Sequence, residues 1–153
     1  VDATPLLVSV IQALREQRLE AVLIGNAAAA LHGAPVTTLD FDFMFRDTPA
    51  NLAKLKRVAR SLHGVILRPY YPVSKLYRLV DEDRGLQVDF MPVIHGVRTF
   101  ESLRSRATTM RIGKEDLLTA SLGDIIKSKK AAARPRDRAV IDILEATLRE
   151  KGE

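Results

Sequence analysis

From Leu39 to Phe45 the chain reads Leu-Asp-Phe-Asp-Phe-Met-Phe, with an apolar side chain at every second position. Side chains leave a β-strand on opposite faces in turn, so this period predicts a strand. Phe41, Phe43 and Phe45 share one face and anchor it in a core, while Asp40, Asp42 and Met44 take the other. Two carboxylates on one face need compensation: like charges about 4 Å apart repel by about 4 kcal/mol at an effective dielectric constant of about 20.

The remaining elements follow from periodicity and punctuation. Thr4-Pro5 and Thr48-Pro49 are helix starts, with threonine as cap and proline in the first turn. Leu7, Val10, Ile11 and Leu14 follow the first at helical spacing, and Leu52, Leu55, Ala59 and Leu62 the second. Ala21 to Gly25 reads as a short buried strand and Asn26 to His32 as a short alanine-rich helix ending at Gly33. Val65 to Arg68 is a further strand, and Leu76 to Val80 pairs as a hairpin with Leu86 to Met91 through Asp81-Glu82-Asp83-Arg84-Gly85. In the second hairpin strand Leu86, Val88 and Phe90 face the core, and Gln87 and Asp89 point away. A weaker strand covers Thr108 to Ile112. Leu122 to Ala133 is helical, Pro135 breaks it, and Val140, Leu144 and Leu148 mark a last helix. The prediction is an α/β (α+β) domain with a small mixed sheet: residues 1–153 as one unit, with an α/β core over 1–112 and a C-terminal helical segment over 115–150.

Composition sets the outer bounds. A chain of 153 residues is long enough for one core, and no Pro/Gly/Ser-rich stretch divides it. The absence of cysteine excludes disulfides and thiolate metal sites. No apolar run approaches the ~20 residues that span a bilayer, so a cytoplasmic protein with no membrane partner is expected. The net charge of +5 favours polyanionic partners such as nucleotides or nucleic acid. His32-Gly33 and His63-Gly64 each fall where a helix should end, which gives both histidines a structural role and the glycines a left-handed cap. Tyr70 and Tyr71, flanked by Pro69 and Pro72, read as a packed surface loop rather than a base-stacking pair.

Asp40 and Asp42 stand about 6.5 to 7 Å apart along one face, and a strand bearing Asp89 beside them would bring a third carboxylate within about 5 Å. Protons or a divalent cation must neutralise such a cluster. An all-oxygen set without His or Cys suits Mg²⁺ or Mn²⁺, which bind one or two carboxylates together with substrate phosphates. Upstream, a strand running through Gly25 directly into a helix offers backbone N–H groups to a phosphate.

In this order the residues resemble the minimal nucleotidyltransferases of the DNA polymerase β superfamily, especially the AbiEii-like toxin-antitoxin branch. Gly25-Asn26, Asp40-Phe41-Asp42 and Asp89 match its signature in sequence order. Ala28 to Gly33, Thr38 and the segment Ser128 to Asp137 are similar to that branch too. The resemblance implies metal-dependent transfer of a nucleoside monophosphate from a nucleoside triphosphate to a hydroxyl of tRNA, a protein or a small molecule. It gives Asp40, Asp42 and Asp89 catalytic and metal-binding roles, and Gly25, Asn26, Lys129 and Arg134 substrate-binding ones. The rest of the basic cluster (Lys127, Lys130, Arg136, Arg138) reads equally as a solvated helix face. The chain departs from the family pattern at Asn26, where Ser or Gly is usual, and in lacking a basic residue over Ala34 to Thr37. Those departures leave a second reading open: a catalytically weak, antitoxin-like binding module of the same fold.

Overall fold

The strand that the alternation predicts is present as β2 (Asp40–Phe45), at the centre of a seven-stranded sheet in the computed structural model. The structure describes residues 3–38, 40–67 and 75–152. In chain order the elements are α1 (Thr4–Glu16), β1 (Ala21–Ile24), α2 (Gly25–Leu31), β2, α3 (Pro49–Ser61), β3 (Val65–Leu67) and β4 (Tyr77–Asp81). Then follow β5 (Leu86–Met91), α4 (Phe100–Arg106), β6 (Thr108–Ile112), β7 (Glu115–Thr119), α5 (Leu122–Ala132) and α6 (Arg138–Glu150). The sheet order is β3-β4-β5-β2-β1-β7-β6, with β2 parallel to β5 and antiparallel to β1, and β1 parallel to β7.

The aromatic face of β2 packs as the sequence implies. Phe41, Phe43 and Phe45 are buried. Phe43 lies opposite Phe90 on β5, and their rings stack at 5.4 Å with 14° between planes. Phe45 meets Phe90 and Tyr77 edge-on, both at 5.9 Å. Each such pair adds about 0.5–1.5 kcal/mol to the value of burial alone. All four residues of β1 are buried, as expected of a strand covered on both faces. α1 buries Leu7, Val10, Ile11 and Leu14 and contacts β7 and α3.

Several local expectations are corrected. Thr48 caps α3 by accepting from the Asn51 N–H at 3.1 Å, whereas Thr4 is helical and Ala3 stands at the N-cap of α1. At the end of α3 the left-handed residue is His63 (φ 56°), not Gly64; an added Cβ on Gly64 would lie 2.6 Å from a Leu79 methyl, so that glycine serves close packing. The segment expected to be helical from residue 115 begins instead as β7, which pairs with β1 inside the sheet. Its inward positions are Glu115, Leu117 and Thr119, and two polar residues out of three hide the apolar period. Glu115 is buried because Arg15 at the end of α1 forms an ion pair with it. α4 was not marked by any apolar stripe long enough to read. Arg68, Tyr70 and Tyr71 lie outside the described residues, as does Leu39. Among the described residues no helix is long and apolar enough to cross a membrane.

Candidate active site

Strand register brings the acidic residues together. Asp42 on β2 is opposite Asp89 on β5 in the parallel pair, and opposite Ile24 on β1 in the antiparallel one. Directly opposed residues share a face, so Asp42 and Asp89 project from the same side of the sheet. Asp40 shares that face by the period of two but stands exposed at the open end of β2, opposite Gln87. Thr38 closes the turn into the strand, its hydroxyl donating to the Asp40 carbonyl at 2.9 Å and accepting from the Asp40 N–H at 3.2 Å.

Gly25 follows β1 and opens α2 beside this row. Its φ of +72° lies in the left-handed region, and an added Cβ would fall 2.9 Å from Asp42 Oδ2. Glycine is therefore required twice over at this turn, by backbone conformation and by the approach of the carboxylate. Asn26 follows in the first turn of α2, and its Oδ1 is buried without a hydrogen-bond partner. α2 can lie this close because Ala27, Ala28 and Ala29 are what it buries.

A cleft of about 700 Å³ opens over the row, and Gly25, Asp42, Asp89, Lys129 and Arg134 all line it. Asp40 and Asn26 are not part of its wall. Lys129 on α5 is buried and bonds Asp137 Oδ1 at 3.3 Å, while Arg134 donates from Nε to Asp137 Oδ2 at 2.7 Å. One buried carboxylate thus holds both basic residues. Burial alone would raise the Asp137 carboxyl, but the Arg134 hydrogen bond and the Lys129 charge outweigh it and hold it below the usual value.

Asp42 behaves in the opposite way. Burial first, then the charges of Asp89 and Asp40, push its carboxyl up to about 6, against a smaller pull from Lys129 and Arg78. The row is short of positive charge at Asp42. Sequence reasoning missed Arg78, which sits opposite Asp89 on β4 and grips it bidentately, Nε to Oδ1 at 2.9 Å and Nη2 to Oδ2 at 3.1 Å. The signal was available: Asp81 pairs with Leu86 across the turn, and counting back along both strands places Arg78 against Asp89.

Among the described residues no three His, Asp or Glu side chains gather closely enough to hold a metal by themselves. The donor set nevertheless suits a hard divalent ion of the Mg²⁺ type, which takes one or two carboxylates and completes its shell with phosphates and water. Asp42, with its unmet negative charge, and Asp40, open to solvent, fit that description; both Asp89 oxygens are engaged by Arg78.

The mixed sheet with its flanking helices defines the class: this is a nucleotidyltransferase fold. The chain belongs to the family described as nucleotidyl transferase of unknown function (DUF2204), whose model matches residues 4–153. No curated protein matches it in sequence. Among solved structures it is similar to the antibiotic-resistance factor ANT(2'')-Ia in solution, with TM-score 0.67 and 15% identity over 96% of this chain and 83% of that one. It is also similar to the lincosamide antibiotic adenylyltransferase LnuA with lincomycin bound, with TM-score 0.67 and 11% identity over 96% and 98%. A third likeness is to the Thermotoga maritima protein TM1012, with TM-score 0.62 and 17% identity over 95% and 92%. At these identities the likeness is one of fold.

Proposed function

We propose that the protein transfers a nucleoside monophosphate from a nucleoside triphosphate to a hydroxyl, with Mg²⁺ or Mn²⁺ as cofactor and pyrophosphate as the leaving group. The observation that carries this reading is the register Asp42–Asp89 on neighbouring strands with Gly25 pressed against Asp42 in one cleft. When bound, the metal supplies Lewis-acid stabilisation of charge on the phosphates. Asp40 and Asp42 would hold it. Gly25 lets the triphosphate approach the backbone, and Asn26 offers its side-chain amide there. Asp89, beside Asp42 and held by Arg78, would help to activate the attacking hydroxyl, whose proton leaves to solvent as the new P–O bond forms and the bond to pyrophosphate breaks. Lys129 and Arg134, fixed by Asp137, meet negative charge on the phosphates. The toxin-antitoxin setting rests on the resemblance of Ala28 to Gly33, Thr38 and Ser128 to Asp137 to that branch.

Neighbours of this fold bind or modify antibiotics, as in ANT(2'')-Ia with adenylyl-2''-tobramycin. The test is incubation of the protein with Mg²⁺ and each of four nucleoside triphosphates labelled at the α-phosphate, with a cell extract as acceptor source. The expected result is label transferred from at least one nucleotide and lost in Asp42→Asn. Absence of transfer, together with no Mg²⁺-dependent rise in melting temperature from any nucleotide, overturns the reading.

A further inference from the structure

The charges around the cleft narrow what the acceptor is. Among the described residues three carboxylates line it, Asp42, Asp89 and Asp124. Two of them are already matched: Arg78 holds both oxygens of Asp89, and Arg106 donates to Asp124 at 2.8 Å. The third, Asp42, is the one assigned above to the metal. Among the described residues, no carboxylate of the cleft wall is left to receive a cationic acceptor.

The cations are in surplus. Lys129 and Arg134 share one carboxylate, that of Asp137. Lys75 and Arg136 line the same cleft, are exposed, and make no ion pair or hydrogen bond among the described residues. A second, independent feature lies beside them. Met91, Pro92, Val93 and Ile94 form an apolar stretch of the wall, and Val93 is 67% exposed, an uncommon position for a large aliphatic side chain. Unpaired cations next to exposed apolar surface suit a single strand of nucleic acid, whose phosphates take the charges while a base packs on the apolar face.

We propose that the acceptor is a single-stranded nucleic-acid end, held through its phosphates by Lys75 and Arg136 and through a base by the Pro92–Val93 surface. The proposal rests on the nucleotidyl-transfer reading for the chemistry, in which the terminal hydroxyl meets Asp89, but its binding part stands apart from it. A polycationic amino sugar is disfavoured by the same charges that favour the strand.

The experiment measures fluorescence anisotropy of two end-labelled probes with free 3′ hydroxyls, a ten-uridine RNA and its deoxythymidine counterpart, over a range of KCl concentrations. Binding of either probe, weakening with salt, is expected. The double variant Lys75→Glu/Arg136→Glu should lose about tenfold or more in affinity with an unchanged melting temperature, and Val93→Asp should lose severalfold. Failure of both probes to bind overturns the proposal, as does full affinity in the double variant. Binding of poly-L-glutamate as tight as that of the oligonucleotides also overturns it, because charge alone would then suffice. Mg²⁺-nucleotide binding, measured in parallel by melting temperature, separates the two readings. A protein that binds nucleotide but neither probe keeps the transfer reading and loses the acceptor proposal; one that binds a probe but no nucleotide does the reverse.

Discussion

Asp42 is the residue on which the electrostatics of the site turn. Its carboxyl is raised from 3.8 to about 6, chiefly by burial and then by Asp89 and Asp40. Between about pH 4 and pH 6 the metal-free folded protein therefore binds more protons here than the unfolded chain does. Stability from this residue is greatest below the unfolded value, falls as pH rises through that window, and is level above it. Asp42→Asn removes the ionisable group, so urea denaturation at several pH values should show this loss in the wild type and not in the variant; an equal slope in both would place the charge elsewhere. Gly25 offers a second test. Alanine there meets both a left-handed backbone and the Asp42 oxygen at 2.9 Å, so Gly25→Ala should cost about 1–3 kcal/mol of stability and lower nucleotide binding by shifting Asp42. Calorimetric melting and nucleotide titration check the two effects separately.

Among the elements, the turn between α5 and α6 is held by one acid. α5 ends at Ala133 in the left-handed conformation (φ 53°) without a glycine, and a 3₁₀ turn over Pro135–Asp137 leads into α6. Asp137 then bonds Lys129 behind it and Arg134 beside it. Asp137→Ala leaves Lys129 buried without its counter-charge, and breaking such a pair costs about 3–5 kcal/mol. Lys129→Met keeps the volume and removes the charge, so denaturant unfolding should show it clearly less destabilised than Asp137→Ala. Equal losses in the two variants would mean that packing, not charge, holds the turn. Lys129 and Arg134 could be singled out in the sequence only through the family resemblance. That one carboxylate, Asp137, pairs with both of them needed the turn, since it reaches Lys129 across eight residues of chain.

For the molecule as a whole, the aromatic side of the sheet carries the stability on which the acidic side draws. Phe43 is fully buried and stacked on Phe90, so Phe43→Ala should cost about 3–5 kcal/mol. Because Phe43 lies next to Asp42 on the same central strand, this loss should appear as a lower denaturation midpoint for the entire domain in a single transition. A separate early transition would show that the strand and the rest of the sheet do not unfold together.

The sequence by itself determined the strands and helices whose periodicity is uninterrupted. Leu39 to Phe45 reads as a strand because the period of two puts three phenylalanines on one face, and that same period places Asp40 and Asp42 together. α3 was legible from Thr48-Pro49, and β5 from its alternation. What the tertiary structure decided were pairings between residues distant in the chain. β7 was hidden because its inward Glu115 finds compensation in Arg15, one hundred residues earlier. The opposition of Asp42 and Asp89 depends on β2 and β5 being parallel neighbours, a choice that no local pattern encodes. The grip of Arg78 on Asp89, and the matching of Asp124 by Arg106, likewise appear only after packing. Periodicity is a property of neighbours in the chain, whereas charge balance in a cleft is a property of neighbours in space.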